Sequence, residues 1–539
     1  MATARYPHLP HSPDSPNLPN SPPGPGDGVS AIQTPQAPSR TEALEAAWRE
    51  FHRTAAQAPP HPAARDFLQR DLIESLARLV PADAAVLEVG CGEGDLLAGL
   101  PTRRRMGIDY LPEVVARARA RHPDIAFEVG DATTALQGQG LAGAGADAVA
   151  LGTPGPPGGS ARMGWAWDAV VCDRLCHSVL DVKALLTGLK RQLAPGGRIY
   201  MTVFNYLWEL PVRLAEMAGW KNPAPTANWL SDSDLRNLFD ITGLEMVRYE
   251  DRLMLPLEVP GVTAALNRYL VRAPAMNHVS LYRIYVLRER KEVAASVPAR
   301  ASVTVVVPTR NEAGNVAAAI ARTPVMGSGT ELIFVEGHSS DDTWAEIQRA
   351  LRVYDGPLKL RAFQQTGKGK GDAVRLGFAH ASGDVLMILD ADLTVPPEDL
   401  PSFFDALVGG HADFVQGTRL VYPMEPGAMR FFNKLGNVAF SQLFTYLLQQ
   451  PIKDTLCGTK VLWRRDYERL AAARSYFGDF DPFGDFDLIF GAARLNLKIA
   501  EIPVRYRDRT YGTTNIQRWK HGWLLLRMVL FAARKLKFT

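Results

Sequence analysis

Two aspartates one residue apart, Asp390 and Asp392, directly follow an apolar run at residues 385–389. An uninterrupted apolar run of this length predicts a buried strand in a parallel sheet. Ligands of open α/β sheets bind beyond the carboxyl ends of the strands, so both carboxylates are expected to face a ligand crevice. Paired carboxylates suit Mg²⁺ or Mn²⁺, which keep coordination positions open for substrate phosphates. The pattern predicts a metal site, and its alternative is a strand-end turn that simply favours aspartate.

A second group of candidate residues lies nearer the start of the chain, where an apolar strand leads into a glycine-rich turn and a helix. The residues in question are Glu88, Gly90, Gly92 and Gly94. Glycines let the backbone approach a ligand closely, and a helix N-terminus offers unpaired N–H groups. Two further apolar strands end at Asp109 and Asp131. An acid after the second strand can accept both ribose hydroxyls, and Asp131 is placed to meet an adenine amino group.

This N-terminal set resembles the class I S-adenosylmethionine-dependent methyltransferases over about residues 72–290, through the Glu-x-Gly-x-Gly-x-Gly pattern and a Leu-Ala-Pro-Gly-Gly turn at residues 193–197. The resemblance implies a Rossmann-like fold that binds S-adenosylmethionine, with Asp109 on the ribose and Asp131 or a neighbour on the adenine. A dehydrogenase would share the glycine-rich turn and stays open as an alternative. His177 either assists proton removal or is a packed, satisfied histidine.

A second α/β segment begins at residue 302, and its first two strands end near Glu312 and Glu336. A basic, glycine-spaced stretch then opens a helix, where backbone amides, Lys368 and Lys370 can meet a diphosphate. With the Asp-x-Asp motif, this order of motifs resembles a family 2 glycosyltransferase over about residues 302–514.

That resemblance implies a GT-A-type fold and a nucleotide-sugar donor, with Pro308, Glu312 and Glu336 around base and ribose. Asp390 and Asp392 would then hold the metal and the diphosphate. The family usually carries Asp-Asp-Gly-Ser after its second strand, whereas this chain has Glu-Gly-His-Ser at residues 336–339. The donor base and sugar therefore stay open.

Within that family, residues 417–419, 429–434 and 454–460 most resemble polyprenyl-phosphate glycosyltransferases of the dolichyl-phosphate mannose synthase type. Arg419, Arg430 and Lys434 could clamp the acceptor phosphate and the leaving diphosphate, and the alternative is that they are solvated helix charges.

Asp485 and Asp487, in a carboxylate-rich stretch, are either the base for a sugar hydroxyl or positioning groups for a lipid phosphate. A hydroxyl must lose its proton during attack, whereas a phosphate monoester is already ionised at neutral pH.

The chain of 539 residues is too long for a single core, and a net charge of +3 does not by itself argue for nucleic acid. We predict a disordered Pro-rich tail (residues 1–40), a methyltransferase domain (41–290) with a low-complexity loop (135–164), a linker (291–301) and a glycosyltransferase domain (302–539).

The four cysteines have no paired metal spacing and fit a reducing cytosol. No signal peptide and no apolar run of the roughly 18–20 residues that a membrane span needs are expected.

The C-terminal stretch places Trp519 and Trp523 beside basic residues. Such a helix suits an anionic membrane surface, and an ordinary helix that caps the domain would have the same pattern. We therefore expect a cytoplasmic protein with an option for the inner face of the cell membrane. The expected function is bifunctional: metal-dependent sugar transfer to an acceptor such as polyprenyl phosphate, and methylation of an unknown substrate. The rival is transfer to a glycan hydroxyl, with the N-terminal domain as a non-catalytic cofactor-binding scaffold.

Overall fold

The structure, a computed structural model, describes residues 40–57, 64–132, 166–218, 224–225, 227–255, 259, 261–273, 276, 279–291, 300–419, 421, 431–474, 485–505, 511 and 518–537. The predicted low-complexity loop, nearly all of the predicted tail and most of the predicted linker lie outside the described residues. Among the described helices, none has both the length and the apolar composition that crossing a bilayer requires.

Strands and helices alternate along much of the described chain. The strands are β1 (Ala85–Val89), β2 (Arg104–Asp109), β3 (Ala126–Val129), β4 (Trp167–Asp173), β5 (Leu193–Phe204), β6 (Leu244–Arg252), β7 (Tyr282–Glu289), β8 (Val303–Thr309), β9 (Thr330–Glu336), β10 (Lys359–Gln364), β11 (Val385–Ile388), β12 (Phe414–Thr418), β13 (Lys460–Trp463) and β14 (Ile499–Pro503). The helices are α1 (Arg40–Gln57), α2 (Ala64–Leu79), α3 (Asp95–Gly99), α4 (Pro112–Arg121), α5 (Val182–Arg191), α6 (Glu209–Met217), α7 (Asp232–Ile241), α8 (Val262–Arg268), α9 (Val316–Arg322), α10 (Thr343–Val353), α11 (Lys370–Ala379), α12 (Leu400–Val408), α13 (Phe431–Leu448), α14 (Arg464–Ala472), α15 (Asp485–Arg494) and α16 (Arg518–Ala532).

The first sheet has the strand order β3-β2-β1-β4-β5-β7-β6, in which β1 to β5 are parallel and β7 is antiparallel to both of its neighbours. The order changes direction between β1 and β4, and this switch point is where α/β sheets open a ligand crevice. The glycine-rich turn at residues 90–94 follows β1 and therefore lies at the switch point.

The second sheet has the order β10-β9-β8-β11-β13-β12-β14. Strands β8 to β11 are parallel, while β13 is antiparallel to β11 and to β12. The carboxyl ends of β8, β9, β10 and β11 and the start of β13 consequently share one edge. The prediction of two α/β domains is confirmed, since each sheet is a mixed seven-stranded one with helices packed against it.

Both sheets are buried on their two faces, which explains why their strands read as continuous apolar runs. In β8, Val305 and Val307 belong to one core layer and Val306 to the opposite layer. In β1, Val86 and Leu87 divide in the same way between two layers. Helices on both faces leave only the strand ends free to meet a ligand.

A buried ionic contact joins the two sheets. Arg198 Nη2 on β5 lies 2.7 Å from Asp413 Oδ2, and Arg288 Nη1 on β7 lies 2.9 Å from Asp413 Oδ1. Burial alone raises the pKa of Asp413, but the two guanidiniums outweigh burial and lower that pKa to about 2. Asn496 strengthens the contact, because its Nδ2 donates to the Leu79 carbonyl at 2.8 Å and its own carbonyl accepts from Arg198 Nε at 2.8 Å.

Candidate active sites at the two sheet edges

The Asp-x-Asp pair lies just beyond β11, and a lysine from a neighbouring helix reaches it. Lys370 Nζ, at the start of α11, is 2.7 Å from Asp390 Oδ1. Asp392 Oδ1 accepts from the Thr394 amide at 3.2 Å and from its hydroxyl at 2.8 Å. Burial raises the pKa of Asp390, but Lys370, through its charge and its hydrogen bond, together with the charges of Lys460 and Arg419 outweighs burial and holds the pKa below its usual range. Asp390 is therefore kept ionised by an internal cation.

A third segment, the turn before β13, closes on this ion pair. A Cβ atom added at Gly458 would lie 2.0 Å from Asp390 Oδ2 and 2.4 Å from Lys370 Nζ. Next to it, Lys460 is fully buried and its Nζ donates to the Cys457 carbonyl at 2.5 Å. The absence of a side chain at Gly458 is thus what lets the backbone approach Asp390. This role was not predicted from the sequence, although the Cys-Gly-Thr-Lys run directly before a strand was a signal for it.

The two predicted donor-site glutamates bind the backbone and side chains around them. Glu336 Oε1 accepts from the Ser339 amide at 2.5 Å, and Oε2 accepts from Gln364 Nε2 at 3.0 Å. Burial opposes these hydrogen bonds, which nevertheless lower the pKa of Glu336. Glu312 Oε2 accepts from Asn315 Nδ2 at 2.7 Å. Pro308 lies within β8, opposite Val335 on β9, so all three predicted donor contacts share this edge.

The basic loop before α11 places its two lysines differently. Lys368 is exposed, whereas Lys370 is half-buried against Asp390. Gly369 takes φ +89° immediately before the helix, and the Gly367 amide donates to Asp372 Oδ2 at 3.1 Å. Lys370 therefore completes the carboxylate site. Lys368 is exposed to solvent, where it can contact an incoming ligand.

Arg419 is tied to a buried aspartate that the sequence analysis did not single out. Its Nε and Nη2 donate to the two oxygens of Asp454 at 2.7 and 2.9 Å. Asn437 Nδ2 from α13 donates to Asp454 Oδ1 at 2.8 Å. Burial raises the pKa of Asp454, but the Arg419 guanidinium and these hydrogen bonds bring it down to about 2. The guanidinium predicted to clamp phosphate is thus held by a bidentate pair at the strand edge.

The remaining predicted residues of this half are described only in part. Arg430 and the side chains of Lys434 and Asp485 lie outside the described residues. Asp487 Oδ2, on α15, is 3.8 Å from Arg474 Nε and 4.0 Å from Arg375 Nη1. Both arginines line a cavity of about 660 Å³ between α11 and α14. Asp487 therefore lies beside cations at distances longer than a hydrogen bond.

The edge of the first sheet is acidic, and a described ion pair there, Arg174 with Asp173 at the end of β4, does not involve Glu88 or Asp109. Glu88 is buried on β1, and its Oε2 has no hydrogen-bond partner among the described residues. Burial, together with the charges of Asp173 and Asp109, raises the pKa of Glu88 well above its usual range. The carboxyl group receives a backbone hydrogen bond from Leu97, so its unpaired oxygen carries the desolvation cost that a cationic ligand group would relieve.

The three glycines after β1 have different structural roles. Gly92 takes φ +53° with open space where a Cβ would lie, and its amide donates to Asp109 Oδ2 at 3.0 Å. Gly94 takes φ +84°, and a Cβ there would lie 2.5 Å from the Phe127 ring. Gly90 takes φ +77° and adjoins a leucine side chain. The predicted ligand approach therefore fits Gly92, while Gly94 is required by packing.

Asp109 lies where the second strand ends, as predicted. Its Oδ1 accepts from the Leu111 amide at 3.0 Å, in addition to the bond from Gly92. Burial raises its pKa, although both hydrogen bonds act in the opposite direction. Each carboxylate oxygen retains acceptor capacity for a ribose hydroxyl. Asp131 is half-buried after β3 and close to Tyr110, whose pKa is raised by burial first, then by Asp109, and to a smaller extent by the charge of Asp131.

The chain matches known families in both halves. Residues 64–249 match the methyltransferase domain model, and residues 304–470 match the model of glycosyl transferase family 2. The chain joins a methyltransferase domain to a family 2 glycosyltransferase domain. Both predicted enzyme classes are thereby confirmed, and the dehydrogenase alternative is wrong.

Relatives of known activity match a part of the chain. A dolichol-phosphate mannosyltransferase of Pyrococcus furiosus is 35% identical over 228 residues, which are 40% of this chain and 59% of that protein. A dolichyl-phosphate hexose transferase of Haloferax volcanii is 29% identical over 219 residues, 40% of this chain and 88% of that protein. A solved S-adenosylmethionine-dependent methyltransferase of Thermotoga maritima shares 15% identity over 47% of this chain and 99% of its own, with a TM-score of 0.30.

His177 of the methyltransferase domain has both ring nitrogens engaged. Its Nε2 accepts from the Phe204 amide at 2.9 Å, so Nδ1 carries the proton and donates to the Asn228 carbonyl at 2.7 Å. Burial lowers the pKa of His177, with the Asn228 carbonyl acting in the opposite direction. Of the two interpretations, the packed and satisfied histidine agrees with this geometry, because a base needs a free lone pair.

Helix α1 adds residues to the methyltransferase edge that the sequence analysis missed. His52 Nδ1 lies 2.7 Å from Tyr110 Oη, and the Arg49 guanidinium carbon is 5.5 Å from the centre of the Tyr110 ring. Tyr110 directly follows Asp109, so α1 lies over the predicted ribose position. No local sequence pattern indicated the contact between His52 and Tyr110, because the two residues are 58 positions apart in the chain.

Proposed function

We propose that the glycosyltransferase domain moves a sugar from a nucleotide-sugar donor to polyprenyl phosphate with the help of a divalent cation. The observation that carries this proposal is the convergence of Asp390, Asp392, Lys370 and Gly458 at the edge that also holds Glu312 and Glu336. That edge combines acids with cationic groups, as the diphosphate of a donor requires. The named relatives act on dolichol phosphate, which supports the acceptor.

The residues fit a divalent cation bound mainly through the substrate. No cluster of three or more His, Cys, Asp or Glu is present in the described part of the chain. Two carboxylates, Asp390 and Asp392, remain, and Mg²⁺ is commonly held by one or two carboxylates plus substrate phosphates and water. When bound, the cation would neutralise charge on the leaving diphosphate. Lys370 keeps Asp390 ionised and ready as a ligand.

The acceptor needs no base if it is a phosphate monoester, because its oxygen is already ionised at neutral pH. Asp487 lies near Arg375 and Arg474, which supports a positioning role for this group beside an anionic acceptor. The rival is a glycan hydroxyl as acceptor, for which Asp485 or Asp487 would serve as base. Catalysis of the phosphate reaction would rest on alignment and on charge neutralisation.

For the methyltransferase domain we propose S-adenosylmethionine as cofactor. The partnerless Oε2 of Glu88 fits a cationic group of that molecule, and the open space at Gly92 fits close approach of the ligand. Asp109 has acceptor capacity for the ribose hydroxyls, and Asp131 lies one strand further for the adenine. The cofactor supplies an activated methyl group, while the protein binds and orients both partners. If purified protein binds no S-adenosylmethionine in calorimetry, the scaffold alternative is favoured.

The test of sugar transfer is a radiolabelled donor screen with purified protein, Mg²⁺ or Mn²⁺ and polyprenyl phosphate in detergent. We expect metal-dependent label in the organic phase, lost in Asp392→Asn and kept in Asp355→Asn, a matched change at an exposed aspartate outside the site. Label that stays in the aqueous phase as a new glycan would contradict the lipid acceptor. In that case Asp485→Asn and Asp487→Asn should abolish turnover.

A further inference from the structure

Helix α6 of the methyltransferase domain presents an apolar face to solvent. Leu210, Leu214 and Met217 are 66%, 54% and 83% exposed. Their spacing of four and three residues places them on one face of the helix. Leu207, one turn earlier, is also exposed. Large apolar side chains exposed as a continuous stripe mark an interaction surface more often than scattered single residues do.

Helix α16 of the glycosyltransferase domain is divided between a packed face and an exposed one. Met528, Val529 and Ala532 are buried in the domain core, whereas Trp523 and Leu530 are 62% and 49% exposed. The exposed face also carries Arg527, and Arg534 is exposed just after the helix. Residues 518–537 contain six basic residues and no acid. The helix therefore packs on the domain core with one face and leaves a basic, apolar face exposed to solvent.

A third exposed segment lies between these two helices. Arg272 Nη1 donates to the Lys537 carbonyl, and Tyr446 Oη donates to the Arg272 carbonyl, so the end of the chain contacts the methyltransferase domain. Directly before Arg272, Tyr269 and Leu270 are 55% and 38% exposed. These two hydrogen bonds therefore hold the segment after α16 and the exposed residues before Arg272 together across the domain boundary.

The same segment leads on to α6. Trp208 Nε1, one residue before α6, is 3.2 Å from the Ser280 carbonyl, and the neighbouring Val279 is 42% exposed. Exposed apolar side chains of residues 207–217, 262–279 and 523–530 together form what we call the shared apolar surface. Among the described residues, 11 of the 21 exposed large apolar side chains belong to it. Such concentration argues against chance exposure.

We propose that the shared apolar surface docks both domains on one anionic lipid bilayer. A bilayer is favoured over a protein partner because exposed basic residues, Arg268, Arg527, Arg534 and Lys535, border the apolar ones. Apolar side chains that enter the interface and cations that meet anionic headgroups are the two terms of peripheral membrane binding. Membrane docking does not depend on the proposed function. The class of methyl acceptor that we infer from docking does rest on the proposed function.

The docked geometry restricts the class of methyl acceptor. Helix α6 follows β5, whose carboxyl end lies at the same sheet edge as Gly92 and Asp109. The methyltransferase edge therefore opens beside the lipid surface, and we assign its acceptor to membrane-borne amphiphiles, such as the glycosylated lipid made by the second domain. An acceptor oxygen would take the methyl carbon, S-adenosylhomocysteine would leave, and the acceptor proton would pass to solvent.

The experiment is sedimentation of the full chain with vesicles of phosphatidylcholine, with and without phosphatidylglycerol, in the absence of sugar donor. We expect binding that depends on phosphatidylglycerol and falls at least about tenfold in the double variant Leu210→Glu, Leu214→Glu. The matched control, Val325→Glu with Val353→Glu, changes two residues that are 51% and 73% exposed outside the surface, and it should bind normally.

A second measurement covers the case in which the charged variant does not fold. Cys91, Cys172, Cys176 and Cys457 are buried, so a fluorophore can be placed selectively on Met217→Cys. We expect a blue shift on addition of anionic vesicles, and none for a label on Val353→Cys. Absence of a shift at position 217, with vesicle binding lost only in Trp523→Glu, would overturn the shared surface. Equal binding to both vesicle types would overturn the anionic bilayer. Sugar transfer to polyprenyl phosphate in detergent requires neither the shared apolar surface nor an anionic bilayer. It therefore tests the proposed function separately from membrane docking.

Discussion

The two domains place acids at the same edge of similar sheets, yet the acids have opposite electrostatic surroundings. In the glycosyltransferase domain, Asp390 and Asp454 are held ionised by Lys370 and Arg419. In the methyltransferase domain, Glu88 and Asp109 are buried and form no ion pair with the described residues, and burial raises the pKa of both. The contrast follows from the ligand each site would take: a diphosphate requires positive groups, whereas a sulfonium and its ammonium require negative ones.

The two sites also differ in their electrostatics before any ligand binds. The glycosyltransferase edge is already neutralised internally, so its geometry is fixed by ion pairs. The methyltransferase edge carries a desolvation cost at Glu88 Oε2, which has no hydrogen-bond partner among the described residues and which ligand binding would relieve. The first site should therefore respond to changes of geometry, and the second to changes of charge.

The largest expected effect follows from removing a carboxylate of the Asp-x-Asp pair. Asp390→Asn or Asp392→Asn should lower sugar-transfer turnover at least about a hundredfold, because the cation and diphosphate lose a charged ligand. The measurement is initial rate with radiolabelled donor at saturating Mn²⁺. Binding of S-adenosylmethionine by the same variants should stay unchanged, and near-normal sugar transfer would contradict the assignment of this edge as the donor site.

A methyl group at Gly458 tests the importance of geometry at the ion pair. Gly458→Ala would bring a Cβ to 2.0 Å from Asp390 Oδ2, so the carboxylate and Lys370 must move apart. We expect turnover to fall about tenfold while stability changes by less than about 1 kcal/mol, since both clashing groups are side-chain ends that can shift. Turnover and chemical denaturation are measured on the same preparation. A large loss of stability with normal turnover of the folded fraction would show that Gly458 is needed for packing instead.

Acidification should weaken the ion pairs that hold aspartates ionised. Asp413 and Asp454 have folded pKa values of about 2, below the ordinary 3.8, so their stabilisation is fully present above the ordinary value and is lost as the pH falls towards the folded value. Each contributes on the order of 2 kcal/mol to the free energy of unfolding, measured by denaturant titration between about pH 5 and about pH 2. In Asp413→Asn the slope of stability against pH should be shallower, and an unchanged slope would contradict the buried contact between the sheets.

The smallest expected effect concerns charge at the methyltransferase edge. Glu88→Gln keeps the shape and removes the acid, so the dissociation constant for S-adenosylmethionine should rise about tenfold in calorimetry. Because the folded pKa of Glu88 is raised, its ionised form destabilises the protein progressively as pH rises, and the Gln variant should melt at an equal or higher temperature at alkaline pH. Unchanged affinity would show that Glu88 does not face the cofactor's cationic group.

Much of each candidate site could be predicted because its residues follow strands in sequence. Glu88, Asp109, Asp131, Glu336 and Asp390 all come at or just after strand ends, and parallel strands bring their carboxyl ends to one edge. The partners of these acids could not be predicted in the same way. Lys370 reaches a residue 20 positions away, and Arg419 pairs across 35 positions.

The amino-acid sequence by itself therefore determined the two α/β domains, their order and the edge of each sheet that carries acids. Apolar runs, glycine-rich turns and strand-end acids are local patterns with a local physical cause. The tertiary structure decided which cation meets which carboxylate, why Gly458 has no side chain, and how α6, α8 and α16 combine into the shared apolar surface. These features depend on contacts between residues far apart in the chain, whose side-chain packing no local pattern records.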